Sequence, residues 1–251
     1  MSHSRLLLIT LSVTLVSGPI KGAAAPSGAA RPLVLLVLQD LSGSVSENAI
    51  PPVVAQDLDP VLAYLRSHGG EIAFGVVNSG HNQLLRIRYD APASGAVKGR
   101  QSSRNLFQQL RDRAEAEKAS AAAGPALAAA QEELQRSEQE FKEGVQRLLR
   151  ARPSSSTNLI AGLDRAAVYF SEDRPYENAL EVFLAVTDGE ETTHRGAAYR
   201  FELKPSILVL MVNNSATRLG IFTPLKDRVK VYESPKSAIA TILKTAQGGG
   251  K

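Results

Sequence analysis

Asp40, Ser42 and Ser44 occupy alternate positions in the stretch QDLSGSVS, one carboxylate and two hydroxyls within five residues. Oxygen donors of this kind form half of a cage for a hard cation, and no soft sulfur ligand is among them. Two more oxygen-bearing side chains lie far along the chain. Thr157 closes the polar run SSST, and Asp188 stands in the Asp-Gly pair that follows EVFLAVT. Mg²⁺ prefers six oxygens at about 2.1 Å in near-octahedral geometry, which this donor set suits. Taken singly, each residue has a plainer role. Asp40 or Ser44 could cap a following helix, Thr157 could cap another, and Asp188-Gly189 could form only a turn. Their joint placement carries the metal-site reading.

That placement depends on the elements around them. Leu33 to Leu38 is an unbroken apolar run, which reads as a strand buried on both faces. Glu71–Val77, Glu181–Thr187, Ile207–Asn213 and Val229–Tyr232 read as further strands. Leu84–Tyr89 alternates apolar residues with Arg86 and Arg88. The short turn Asn78-Ser79-Gly80 makes it an antiparallel partner of the strand before it, with both arginines on a solvated face. Helices are expected from Pro51-Pro52 to an end at His68-Gly69-Gly70 (with Pro60 either a kink or a fresh start after Asp59), over Ile160–Phe170 and over Ala238–Ala246. Between about 102 and 152 the composition shifts to Ala, Glu, Gln, Lys and Arg, interrupted once at Gly124-Pro125, which predicts two helices. Leu127, Leu134, Phe141 and Leu148 recur every seven residues. Ser137 and Gly144 spoil a coiled-coil seam, so the stripe is expected to pack on itself or on the domain, with a docking surface as the alternative. Strands alternating with helices predict an α/β fold with a doubly wound, mostly parallel sheet and one antiparallel edge strand. Ligands then sit at the carboxyl ends of the strands, where Asp40 and Asp188 fall.

Asp40-Leu41-Ser42-Gly43-Ser44, Thr157 and Asp188-Gly189 together resemble the three parts of the metal-ion-dependent adhesion site of von Willebrand factor type A domains, in that family's order. The resemblance covers about residues 32–246, apart from the helical insertion at about 102–152. It implies a Rossmann-like fold and a Mg²⁺ ion (or Mn²⁺ or Ca²⁺) held by Asp40, Ser42, Ser44, Thr157 and Asp188, with one carboxylate acting through a water. The ion would keep net positive character and an open position for the carboxylate of a partner protein. The interval of 117 residues from Asp40 to Thr157 exceeds what the family usually has, and the insertion accounts for most of the excess. Glu190 and Glu191 read as solvated charge at a helix start. His81 and His194 are lone histidines in polar turns and make no second metal site.

Composition narrows the field. The chain has no cysteine, which removes disulfides, thiolate metal sites and thiol nucleophiles. With no Trp and 5 % aromatic residues, a stacking surface for single-stranded nucleic acid is not expected. Residues 1–25 read as a secretory signal: Arg5, an apolar run from Leu6 to Val16, and the small residues Ala23-Ala24-Ala25. An uncleaved N-terminal anchor is the alternative, since Lys21 sits close to the cut. Cleavage removes Arg5 and Lys21 and no acid, lowering the formal net charge from +4 to +2, so no nucleic-acid partner is expected. A linker at 26–31, a domain at 32–246 and a flexible tail at 247–251 complete the outline. The function read from this is an exported, periplasmic or secreted, non-enzymatic module. It binds a protein partner presenting a carboxylate and has no stable membrane insertion once the signal is cleaved. A Mg²⁺-dependent phosphatase of the haloacid-dehalogenase type is one alternative, but it needs an Asp where Ser42 stands. The other is a structural domain whose helical insertion does the recognition. Oligomeric state is left open.

Overall fold

The computed structural model describes residues 30–77, 84–90, 106–151, 154–194, 203–215 and 218–248, with side chains in the long helix from 128 onward. The signal segment 1–25, most of the linker, the turn 78–80, His81 and residues 249–251 of the tail lie outside the described residues.

The apolar runs form strands because their β-branched and leucine side chains can be buried on two faces at once. β1 (Leu33–Asp40) is buried at every position. Leu33, Leu35 and Val37 enter one core, and Val34, Leu36 and Leu38 enter the other. Each of these side chains contributes about 1.5–3 kcal/mol by leaving water, which fixes β1 as the spine of the sheet. β2 (Gly70–Val77) and β4 (Leu180–Val186) flank it in parallel, with Asp40 opposite Val77 and Gln39 opposite Val186. β3 (Leu85–Tyr89) is antiparallel to β2 at one edge, and β5 (Leu208–Val212) and β6 (Val229–Tyr232) extend the other edge in parallel. The order is β3-β2-β1-β4-β5-β6. This is the fold class that the resemblance implies, a mostly parallel sheet with one antiparallel edge strand and helices on both faces.

The first face is covered by α2 (Asp59–His68), α5 (Pro235–Ala246) and the carboxyl-terminal part of α3 (Leu106–Leu149). The second is covered by α4 (Leu159–Ser171), Leu203 and Ile207, and the 3₁₀ turn Gly220–Leu225.

Three expectations need correction. The helix expected from Pro51 begins instead at Asp59, with Pro60 in its first turn, where the missing N–H costs nothing; Pro51 and Pro52 lie in the preceding loop. A five-residue helix, α1 (Gly43–Glu47), and a 3₁₀ turn over Ala55–Leu58 fill the space between. The pair of helices expected around Gly124-Pro125 is one helix of 44 residues. Its flanks are dense in Ala, Glu and Gln, strong helix formers that carry the backbone across one proline. The charge at Glu190 and Glu191 does not begin a helix of its own, because Asp188 to Thr193 is an irregular loop.

The heptad stripe packs on the domain from Leu134 onward. Phe141 and Val145 are buried, and Leu134, Leu148 and Leu149 pack against the same core. Glu138 accepts a hydrogen bond from the Tyr89 hydroxyl at 3.0 Å and pairs with Arg66, while Gly144 lies against Leu85. Tyr89 pairs with Gly70 at the start of β2 and Leu85 with Phe74 farther along it, so the helix climbs toward the carboxyl ends of the parallel strands. Arg86 and Arg88 are exposed on the edge strand as expected. They are also engaged, Arg86 bidentately with Glu172 at 2.7 and 2.8 Å, and Arg88 with the buried Glu71 at 2.5 Å.

Candidate metal centre

From β1 the chain builds β2 and β3 on one side, then crosses over to place β4 on the other side of β1. The crevice outside the carboxyl ends of β1 and β4 is therefore the switch point of the sheet. Asp40 is the last residue of β1, and Thr187-Asp188 follow β4 directly. Both carboxylates are buried, at 1 % and 4 % exposure.

Each carboxylate is held by donors from its own loop and from elsewhere. Asp40 Oδ1 accepts from the Ser42 N–H at 2.8 Å, and Oδ2 accepts from the Thr187 hydroxyl at 2.8 Å. The Thr187 oxygen in turn accepts from the Gly189 N–H at 3.0 Å. Asp188 Oδ1 accepts from the Glu190 N–H at 3.0 Å, and Oδ2 accepts from the Asn48 side-chain amide at 3.3 Å. Gly189 makes this turn at φ +80°, with the backbone of Leu219 pressed against it, so a side chain there meets both strain and collision. Burial pushes the Asp40 carboxyl up to about 6, assisted by the charge of Asp188 and opposed by the hydrogen bonds from Ser42 and Thr187.

Ser42 and Ser44 stand at the start of α1 with their hydroxyl oxygens 3.0 Å apart. Neighbouring corners of an octahedron with bonds of about 2.1 Å are about 3 Å apart, so this pair has the spacing of adjacent ligands. Ser42 is the N-cap residue of α1 yet caps nothing with its side chain.

Thr157 reaches the rim through backbone pairing. Gly43 N–H donates to the Ser154 carbonyl at 3.2 Å, and Ser154 N–H donates to the Leu41 carbonyl at 3.1 Å, a parallel bridge between the two loops. From the other side the N–H groups of Thr192 and Thr193 both donate to the Thr157 carbonyl at 3.2 Å, and the Thr157 N–H donates to the Thr192 hydroxyl at 2.6 Å. The cap of α4 is Asn158, whose side chain accepts from the Ala161 N–H at 2.9 Å. Glu191 adds a second cap by accepting from the Ile160 N–H at 3.0 Å, which is what its carboxylate does at a helix start. Thr157 is thus relieved of capping. Its hydroxyl is fully buried and has no hydrogen-bond partner among the described residues.

The structure therefore brings the three expected segments to one rim and ties them to each other. Among the described residues no hydrogen bond runs directly from the Thr157 hydroxyl or the Asp188 carboxylate to Asp40, Ser42 or Ser44. The donor set is all oxygen, with two carboxylates and three hydroxyls, and one hydroxyl is orphaned in the interior. These residues fit a hard divalent cation. Sequence reasoning missed Thr187, Asn48, Thr192 and Thr193. Thr187 adjoins Asp188 and could have been noticed there; nothing in the sequence marks Asn48. His194 is exposed and joins no cluster, and no group of three or more His, Asp or Glu side chains forms a metal site among the described residues. Leu149, the last residue of α3, and Ala151 just beyond it border a crevice of about 180 Å³ with Asp40 and Ser42, so it is the carboxyl end of the long helix that neighbours the site.

No protein-family model matches the sequence, and no curated protein matches it. Several solved structures are similar in the course of their chains. A von Willebrand factor type A protein from Catenulispora acidiphila is 13 % identical over 88 % of this chain and 43 % of its own, with a TM-score of 0.44. Proximal thread matrix protein 1 from the mussel byssus, described with a zinc-occupied MIDAS motif, is 12 % identical over 88 % of this chain and 47 % of its own, with a TM-score of 0.42. The ArnB paralog VWA2 from Sulfolobus acidocaldarius is 12 % identical over 88 % of this chain and 46 % of its own, with a TM-score of 0.39. The chain spans less than half the length of each of these proteins. These likenesses identify no residue here.

Proposed function

We propose that this chain is an exported binding module of the von Willebrand factor type A kind, which captures a protein partner through a divalent cation. Asp40, Ser42, Ser44, Thr157 and Asp188 are its proposed ligands, and Mg²⁺ is the proposed ion, with Mn²⁺ or Ca²⁺ as substitutes. The observation that carries this reading is the Thr157 hydroxyl. A buried donor and acceptor left unpaired costs about 1–3 kcal/mol, and a cation bound by its oxygen relieves that cost. The buried carboxylates support it too, because two acids enclosed near one rim are far more favourable beside a positive charge than alone.

The chain's own residues divide the work. Ser42, Ser44 and Thr157 offer neutral oxygens, so the site carries only two negative charges. Thr187 and the Ser42 N–H fix the rotation of the Asp40 carboxylate, and the Glu190 N–H and Asn48 fix that of Asp188. Bound there, a divalent cation would supply an open position for an acidic side chain of the partner. Export rests on the N-terminal signal reading; among the described residues no helix is long and apolar enough to cross a membrane.

Calorimetric titration of the chain with Mg²⁺ and Mn²⁺ tests the proposal. One divalent site is expected, lost in Asp40→Ala and in Ser42→Ala; a wild-type chain that binds neither ion ends the reading. Capture of proteins from an envelope fraction, with Mg²⁺ and again with chelator, tests the partner: metal-dependent retention is expected.

A further inference from the structure

We infer that Asn48 is a positioning residue for the proposed cation site, holding the Asp188 carboxylate in its ligating orientation and tying it to the helix that presents Ser42 and Ser44. The inference rests on the cation reading above and adds a residue that the motif does not contain.

Asn48 closes α1. Its backbone N–H satisfies the Ser44 carbonyl at 2.9 Å, and the chain reverses at once, with Ala49 in the left-handed region at φ 52° and the Ile50 N–H returning to the Val45 carbonyl at 3.2 Å. The helix end is thus capped by backbone alone, so the Asn48 side chain is free for another use. It donates its amide to Asp188 Oδ2 at 3.3 Å, 140 residues away. Its own backbone carbonyl accepts from the side-chain amide of Asn214, in the loop after β5. Asn48 is therefore gripped from one side while it grips Asp188 on the other.

The consequence follows from the length of α1. The five residues of α1 lie between Ser42 and Asn48, with Ser44 the second of them. One rigid turn therefore carries two proposed ligands at one end and the donor that orients a third at the other. A neutral amide is well suited here, because it fixes one carboxylate oxygen while leaving the charge of Asp188 for a cation. Outer-shell donors of this kind typically alter metal affinity by about 10–100-fold when removed.

Mg²⁺ demands near-ideal geometry, whereas Ca²⁺ accepts irregular coordination. Loosening Asp188 should therefore harm Mg²⁺ binding more than Ca²⁺ binding, a difference that general destabilisation does not produce. Titrations of the full chain with Mg²⁺ and with Ca²⁺ are compared for wild type, Asn48→Ala and Asn214→Ala, alongside their thermal melts in chelator. Asn48→Ala is expected to weaken Mg²⁺ binding about tenfold or more and Ca²⁺ binding by no more than about threefold, with the melt in chelator lowered by the loss of the hydrogen bond to Asp188 but still cooperative. Asn214→Ala should show the same selectivity with a smaller loss. Unchanged Mg²⁺ affinity in Asn48→Ala, or equal losses for both ions, overturns this inference while leaving the cation site standing. A wild type that binds neither ion overturns both.

Discussion

The Thr187 hydroxyl donates to Asp40 Oδ2 at 2.8 Å across a sequence distance of 147 residues, and both side chains are buried at the carboxyl ends of adjacent strands. The same oxygen accepts from the Gly189 N–H, so one hydroxyl joins the end of β1 to the turn that holds Asp188. Removing it should be felt by both carboxylates.

Thr187→Val keeps the shape and deletes the hydroxyl. It leaves a buried Asp40 oxygen and the Gly189 N–H without their partner, which costs about 1–3 kcal/mol. Urea unfolding in chelator should show that loss with an unchanged slope. A loss below about 0.3 kcal/mol would mean that the bond contributes nothing.

Thr157→Val should behave oppositely. The hydroxyl has no partner in the described structure, so replacing it by a methyl should leave metal-free stability unchanged or raise it by up to about 1 kcal/mol. Divalent-ion affinity should fall at least about tenfold. The pair of measurements is decisive together: a destabilised metal-free variant with intact ion binding would make Thr157 structural.

Metal-free stability should depend on the protonation of Asp40. Its folded value, about 6, lies above its ordinary 3.8, so the folded chain holds the proton more tightly than the unfolded chain does. The Asp40 contribution is then most favourable below about pH 4 and declines as pH rises through about 6, by about 3 kcal/mol in all. The stability difference between wild type and Asp40→Asn in chelator should shift by that amount between pH 4 and pH 7. A difference that stays flat over this range would remove burial of the charge as the cause.

Phe141→Ala tests the status of the long helix. Phe141 is 5 % exposed in the same core as Val145 and α2, so its truncation should cost about 3–5 kcal/mol. Excising residues 102–152 should then unfold the domain rather than isolate a recognition element. A Phe141→Ala chain of wild-type stability would restore the helix to the standing of an appendage.

The fold class, the central strand and the convergence of Asp40 and Asp188 on one rim were legible in the amino-acid order. Short apolar runs rich in β-branched residues and bounded by turn residues read as strands of a sheet covered on both faces, and that architecture puts strand ends and ligand residues together. Helix boundaries near proline were less legible: Pro60 could be a kink or a start, and the choice fell to packing of Val61, Leu62 and Leu65 against the core. Gly124-Pro125 read as a break because local propensity is summed over neighbours only weakly from sequence. What tertiary structure alone decided is how the rim is wired. Asn48 to Asp188, Thr187 to Asp40 and Thr192 to Thr157 are pairings between segments 35 to 147 residues apart. Hydrogen bonds of that kind leave no periodicity and no local composition behind them, so only the folded chain reveals which polar side chains are satisfied and which, like the Thr157 hydroxyl, are left waiting.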